Sequence, residues 1–272
     1  MAESSGAPVL EVADLRKQFG QLVAVDGVSF ALLPGRSLAI VGESGAGKTT
    51  IARMIVGLER PTSGTITACE HDRSRPPRSA RDRRRRGREV QIVFQDPYTS
   101  LDPRQNAEAT IDEVLRLHHG GPAERRRARV TELTGLVGLD ERQSRELPRL
   151  LSGGQRQRVA IARALAAEPA VLILDESVAA LDMSIQAQVL NLLADIRDET
   201  HISYVLISHD LAVVRQVTDE TLVLHRGTVV ERGPTAQLLD HPEHPYTQRL
   251  RASVPRPGWK PMRHGLPEGQ ER

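Results

Sequence analysis

The sequence predicts an α/β fold built on a mainly parallel sheet, and three features predict it. Short apolar runs, Ser37–Val41 and Val171–Leu174, read as strands buried on both faces. Ile185, Val189, Leu192, Leu193 and Ile196 recur at the spacing of an amphipathic helix. Strand-like and helix-like stretches alternate along the chain, as they do when helices connect parallel strands.

Taken in order, Val9–Val12 and Val23–Leu33 read as strands, with turns at Phe19-Gly20 and Pro34-Gly35. Ser37–Val41 runs straight into a glycine-rich loop and a helix over Lys48–Leu58. Thr65–Thr67 follows a Ser63-Gly64 turn as a further strand. Residues 70–89 then change character. Nine arginines lie between Arg73 and Arg88, with two prolines and no apolar period, which predicts a solvated loop or weak helix. Contact with nucleic acid or anionic lipid is the competing reading of this run, but it lacks the interleaved aromatics of a single-strand binder.

Val90–Phe94 restores a strand. Residues 100–147 read as a mainly helical insertion, with Ile111, Val114, Leu115 and then Val130, Leu133, Leu136 at helical spacing. Tyr204–Ile207, Thr221–Leu224 and Thr228–Glu231 complete the strands. The stretch beyond Pro234 is rich in proline and histidine, and 256–272 is expected to be poorly ordered.

Composition removes several function classes. A net charge of +2 over 272 residues supplies no global basic field for nucleic acid. The single cysteine, Cys69, excludes an internal disulfide and a four-cysteine iron–sulfur cluster, and it suits a reducing compartment. Residues 1–17 carry Glu3, Glu11 and Asp14 and no long apolar core, so they do not read as a signal peptide. The apolar runs are far below the ~18 residues that span a bilayer, so a role at a membrane is expected to be peripheral. His118-His119 and the pair His241 and His244 lack the carboxylate or cysteine company of a metal centre.

The chemistry concentrates in three segments. Gly42-Glu43-Ser44-Gly45-Ala46-Gly47-Lys48-Thr49 has the spacing of a phosphate-binding loop between a strand and a helix. Its glycines let backbone N–H groups approach the β-phosphate, with the following helix presenting its positive end. Lys48 is expected to reach the β- and γ-phosphates and the Thr49 hydroxyl to ligate Mg²⁺. Val171-Leu172-Ile173-Leu174-Asp175-Glu176 is an apolar strand ending in two acids. Asp175 is expected to hold Mg²⁺ through water, and Glu176 to take the proton of an attacking water. Leu151-Ser152-Gly153-Gly154-Gln155 places a capping serine and two glycines before a helix expected to begin near Arg156. That makes a second phosphate site. One chain cannot bring two such sites to one γ-phosphate, so the second is expected to serve a partner's nucleotide.

With these segments in place the chain resembles the ATP-binding subunits of ABC transporters over about residues 9–255. Gln95 matches the Q-loop, Leu151–Gln155 the signature motif, Ala180-Leu181-Asp182 the D-loop, and His209 in Ile207-Ser208-His209-Asp210 the switch histidine. Phe19 falls where the family stacks an aromatic on adenine. The resemblance implies a P-loop NTPase core with an antiparallel β subdomain and an α-helical subdomain inserted over about 97–155. It implies catalytic Glu176, His209 and Lys48, and nucleotide contacts from Phe19, Gly42 through Thr50, Gln95 and Ser152–Gln155. It implies Mg²⁺ held by Thr49, Gln95 and, through water, Asp175.

A finer resemblance, to the oligopeptide/dipeptide/nickel importer branch, rests on residues 95–104, on 183–190, and on Gly233-Pro234-Thr235 followed by His244-Pro245-Tyr246-Thr247. It implies a cassette at 9–233 and a branch-specific extension at 234–255. The implied partners are a second ATPase subunit, two membrane permeases and an external solute-binding protein. The implied task is import of peptides, related small solutes or nickel, at the cytoplasmic face of the membrane, without nucleic acid. Ser177 stands where the branch has proline and Ala179 where it has serine, which puts coupling between two ATP sites in question. Leu150 stands where an acid is common. The cysteine cluster of some relatives is missing, so no iron–sulfur centre is expected. Soluble ABC ATPases acting on nucleic acid or ribosomes form the competing class. They carry two cassettes, a long coiled coil or zinc insertions, and this chain has one cassette and neither insertion.

Overall fold

The computed structural model of the chain describes residues 6–96, 100–177 and 182–252. In chain order the strands are β1 (Leu10–Phe19), β2 (Leu22–Leu32), β3 (Ser37–Val41), β4 (Ser63–Ala68) and β5 (His71–Asp72). There follow β6 (Val90–Val93), β7 (Val171–Asp175), β8 (Ser203–Ser208), β9 (Glu220–His225) and β10 (Thr228–Pro234). They form a four-stranded antiparallel sheet, β2-β1-β4-β5, and a six-stranded sheet, β10-β9-β3-β8-β7-β6. The larger sheet is parallel except for β10, which lies antiparallel to β9.

The central strands are apolar throughout because each is covered on both faces. Side chains alternate across a strand, and the alternation here divides two cores. Leu38, Ile40, Val171, Ile173, Val205, Ile207, Leu222 and Leu224 face one, shared with α1 (Lys48–Val56) and the antiparallel sheet. Ala39, Val41, Leu172, Leu174, Tyr204, Leu206 and Val223 face the other. That second core is closed by α6 (Gly153–Leu165), α7 (Met183–Thr200) and α8 (Leu211–Val217). A fully buried aliphatic side chain contributes about 1.5–3 kcal/mol, so these strands can hold unfavourable charges at their ends.

Several elements differ from the sequence expectation. β1 continues to Phe19 rather than stopping at Val12, because it pairs along its length with β2 as far as Phe19 opposite Leu22. α1 ends at Val56, two residues early, where the N–H of Gly57 turns back to the Arg53 and Met54 carbonyls. The arginine-rich stretch takes the weak-helix alternative of that expectation and adds a short strand to it. It contains β5 and α2 (Ala80–Glu89), which Ser79 caps by accepting the Asp82 N–H. α2 buries no residue of its own, but Arg73 just before it is buried and donates to the Arg86 carbonyl at 2.6 Å. Arg86 in turn donates to the Arg75 carbonyl at 2.6 Å. These guanidinium groups satisfy backbone carbonyls of their own segment, a use that leaves no periodic trace.

Between β6 and β7 the chain forms α3 (Ala107–His118), α4 (Ala123–Leu136) and α5 (Glu141–Arg145) before α6. The six-residue helix α9 (Thr235–Asp240) and α10 (Pro245–Ala252) follow β10. No described helix is long and apolar enough to cross a membrane. The expected disordered stretch at 256–272 lies outside the described residues.

Tyr204, fully buried on β8, donates its hydroxyl to the Leu193 carbonyl at 2.8 Å. Tyr204→Phe should lower the thermal unfolding midpoint by about 2 °C, for one hydrogen bond of about 1 kcal/mol. Tyr204→Ala should cost about 3 kcal/mol or more. Calorimetry of both variants checks the ranking.

Candidate active site

The site is assembled at the carboxyl ends of β3, β7 and β8, where open α/β sheets hold their ligands. Residues 42–49 wrap from the end of β3 into α1. The loop is fixed by backbone contacts that exclude a side chain. A Cβ on Gly42 (φ +155°) would lie 2.2 Å from the Leu224 carbonyl oxygen, and one on Gly47 (φ +105°) would lie 2.4 Å from that of Ala24. The Gly227 N–H donates to the Ala46 carbonyl at 3.1 Å, tying the loop to the β9–β10 turn. Among the described residues the N–H groups of Gly45, Gly47 and Lys48 carry no hydrogen bond, and with the start of α1 they form a concave donor set suited to an anion.

Lys48 is buried, and its ammonium donates to the Gly42 carbonyl at 2.8 Å and the Glu43 carbonyl at 2.9 Å. Glu176 Oε1 lies 3.8 Å from it. Thr49 donates its hydroxyl to Asp175 Oδ1 at 3.1 Å, so the loop and the end of β7 meet directly. Glu176 sits at φ +47°, uncommon for a residue with a side chain, and its N–H donates to the Ile207 carbonyl at 2.9 Å. That bond to β8 holds the strained backbone. His209, just past β8, places Nδ1 3.6 Å from Glu176 Oε1. Lys48 and Thr49, Asp175 and Glu176, and His209, from three distant segments, thus share one cluster.

Electrostatics there oppose burial. Burial pushes the Lys48 ammonium below its ordinary pKa, against the pull of Glu176 and Asp175. Burial pushes the Asp175 carboxyl up; the Thr49 hydrogen bond opposes that shift and Glu176 adds to it. Both charges are held at a cost that a bound polyphosphate and its cation would offset. The Thr49 hydroxyl and Asp175 carboxylate are the hard oxygen donors Mg²⁺ takes. Among the described residues no three His, Cys, Asp or Glu side chains form a metal site on their own. Water and phosphate oxygens would complete the shell of a cation held by Thr49 and Asp175.

Among the described residues, no hydrogen bond or ion pair joins Phe19, Gln95 or Ser152–Gln155 to this cluster. Phe19 ends β1 with 45% of its surface exposed, and Lys17 Nζ stands 4.5 Å from its ring centroid. A base would have to take the opposite face. Gln95 is exposed two residues past β6, the neighbour of β7. Ser152 caps α6, which begins at Gly153 rather than near Arg156, through a reciprocal box. Ser152 Oγ accepts the Gln155 N–H at 3.2 Å, and Gln155 Oε1 accepts the Ser152 N–H at 2.7 Å. Among the described residues no hydrogen bond or ion pair joins Ser152–Gln155 to the loop at 42–49. Gly154 has a packing reason as well, since a Cβ there would lie 2.4 Å from Ile185 Cγ2. Ser177 is buried with no hydrogen bond to its hydroxyl among the described residues. Residues 97–99 of the Q-loop segment, Ala179, and Ala180 and Leu181 of the D-loop lie outside the described residues.

One contact had no sequence signal. The Glu43 N–H donates to the hydroxyl of Tyr246 at 3.0 Å, 203 positions away. Only the tertiary fold brings α10 to the loop.

The ABC transporter family matches residues 25–179, and the oligopeptide/dipeptide transporter C-terminal region matches 230–271. The dipeptide transport ATP-binding protein DppF of Haemophilus influenzae is 44% identical over 236 residues, covering 87% of this chain and 72% of that protein. DppF of Escherichia coli is 43% identical over 259 residues, covering 92% and 77%. Among solved structures, the ATP-binding cassette MJ0796, a dimer in a post-hydrolysis state bound to ADP and Pi, aligns with TM-score 0.74 and 28% identity, covering 83% of this chain and 98% of that one. The Clostridium perfringens cbiO1, part of the ABC transporter complex cbiONQ, aligns with TM-score 0.76 and 28% identity, covering 86% and 91%.

The raised Asp175 pKa makes the folded chain lose stability as the pH rises above 3.8, the ordinary aspartate value, through its folded-state value. Asp175→Asn removes that loss. In nucleotide-free thermal melts across a pH series, the variant should gain on wild type as the pH rises and then level off. A constant or shrinking difference would contradict the assignment of a desolvated carboxylate.

Proposed function

The chain belongs to the ABC transporter family, and from that premise we propose that it is the ATP-hydrolysing subunit of a peptide importer. The observation that carries the reading is the meeting of Lys48, Thr49, Asp175, Glu176 and His209 at three strand ends; among the described residues no hydrogen bond or ion pair ties the capped loop at Ser152 to them. A site with a phosphate loop and a base, but with its second anion-binding helix start elsewhere, is completed by the same helix start of a second cassette. The dimeric cassette MJ0796 supports that arrangement, and the peptide and dipeptide relatives support the cargo class.

In this reading the N–H groups of Gly45, Gly47 and Lys48 bind the β-phosphate. The Lys48 ammonium keeps one of its three donors on the Gly42 carbonyl and turns the other two, one of them released from the Glu43 carbonyl, to β- and γ-phosphate oxygens. Thr49, with Asp175 through water and Gln95, would hold Mg²⁺, which when bound neutralises charge on the phosphates. Glu176 takes a proton from water as its oxygen bonds to the γ-phosphorus; the bond to the bridging oxygen breaks and its electron pair leaves with ADP. His209, beside Glu176, orients that carboxylate and contacts the γ-phosphate. Phe19 packs on adenine, and Ser152, Gly153, Gly154 and Gln155 face the partner's γ-phosphate.

Around this chain we place a second cassette, two permeases and an external solute-binding protein, with the cassette peripheral to the cytoplasmic face of the membrane. The cassette covers 9–233 and its extension 234–255.

Glu176→Gln should leave ATP affinity within a few-fold of wild type and reduce hydrolysis about 10²–10⁴-fold; robust turnover by this variant would overturn the role given to Glu176. In vesicles carrying the cognate permeases and binding protein, ATP should drive uptake of labelled di- and tripeptides with the wild-type chain and not with Glu176→Gln. Active hydrolysis without peptide uptake would keep the ATPase and refute the cargo.

A further inference from the structure

Tyr246 lies in α10, within the region that resembles the transporter C-terminal extension, and no step of the proposed reaction uses it. It is 3% exposed, and its ring stacks on His225 with centroids 3.9 Å apart and planes tilted by 35°. Its hydroxyl accepts the N–H of Glu43, the second residue of the phosphate loop, at 3.0 Å. That N–H and the Gly42 carbonyl belong to one peptide group. The carbonyl end of the same group accepts from the Lys48 ammonium at 2.8 Å. In a trans peptide the two point opposite ways, so the peptide plane between residues 42 and 43 is held at one end by Lys48 and at the other by Tyr246.

The neighbouring contacts make this a built clamp. Gly42 is pressed against the Leu224 carbonyl, next in sequence to the His225 on which Tyr246 stacks. α10 is itself anchored to β10, because the Glu231 carboxylate accepts the N–H groups of Glu243 at 2.9 Å and His244 at 3.1 Å. His244 Nδ1 accepts the Tyr246 N–H at 3.1 Å, which fixes where the tyrosine enters the helix. The donors left for phosphate, on Gly45, Gly47 and Lys48, are separate from the one Tyr246 engages.

We propose that Tyr246 is a positioning residue. Its hydroxyl sets the orientation of the peptide between Gly42 and Glu43, and through it the place of Lys48 and the opening of the loop, so the C-terminal extension tunes nucleotide affinity. The inference rests on the reading of residues 42–49 as the ATP site. Preorganising a binding loop improves affinity by reducing the ordering needed on binding, so the hydroxyl should act on binding more than on the chemical step.

The experiment is Tyr246→Phe in the full chain, which removes the hydroxyl and keeps the ring on His225. ATP and ADP affinities are titrated with a fluorescent nucleotide, kcat and KM are measured, and the nucleotide-free melting point is recorded. Gln248→Ala, on the same helix, removes side-chain donations to the Pro242 and Glu243 carbonyls and serves as the control. The expected result is a Kd and KM for ATP about 3–10-fold higher, as one hydrogen bond predicts, with kcat within about twofold of wild type. The melting point should match that of the Gln248→Ala control. Unchanged affinity in Tyr246→Phe overturns the proposal, as does an affinity loss matched by the control. Wild-type protein that fails to bind ATP overturns the site reading itself and this inference with it.

Discussion

The backbone of the phosphate loop is pressed so closely against its neighbours that no side chain fits at Gly42 or Gly47, and the site depends on that contact. Leu224 at the end of β9 and Ala24 in β2 supply the carbonyls that exclude a Cβ. The turn after β9 closes the clamp, with Gly227 donating to Ala46 and accepting from Asp26 at 2.8 Å. The loop is thus held by both sheets at once. The antiparallel sheet has a mechanical part in the site as well as covering a core, since β2 forms one jaw.

The two cores make the electrostatic strain tolerable. Desolvating Lys48 and Asp175 is unfavourable, and strained backbone such as that of Glu176 adds about 1–3 kcal/mol. Against this stand strands buried on both faces, their apolar residues divided between the two cores. The chemistry sits where those strands run out, so the charges meet the crevice and the apolar residues stay behind them. In the proposed reading, phosphate entering the crevice would meet a lysine already desolvated and held by loop carbonyls, as preorganised sites stabilise charge.

The arginines of residues 73–88 illustrate a different economy. In a chain with three lysines among 37 basic residues, arginine also takes structural tasks. Arg73 and Arg86 each reach carbonyls of their own segment, and Asp82 pairs with Arg85 and Arg86 along one side of α2. The planar fork of guanidinium makes such multiple donations possible where a lysine ammonium would act at a point.

Much of the site was legible because its signals are local. The run Val171–Asp175 announces a strand buried on both faces, the spacing of Gly42, Gly47, Lys48 and Thr49 announces a glycine-rich loop between a strand and a helix, and Ser152 followed by Gln155 announces a cap. Each depends on steric and hydrogen-bonding rules that act over one to five residues. Strand order, the length of β1, the burial of Arg73, the approach of Ile185 to Gly154 and the reach of Tyr246 to Glu43 were decided only in three dimensions. These depend on which distant surfaces pack together, and a contact across 203 positions leaves no periodicity or spacing in the chain that makes it.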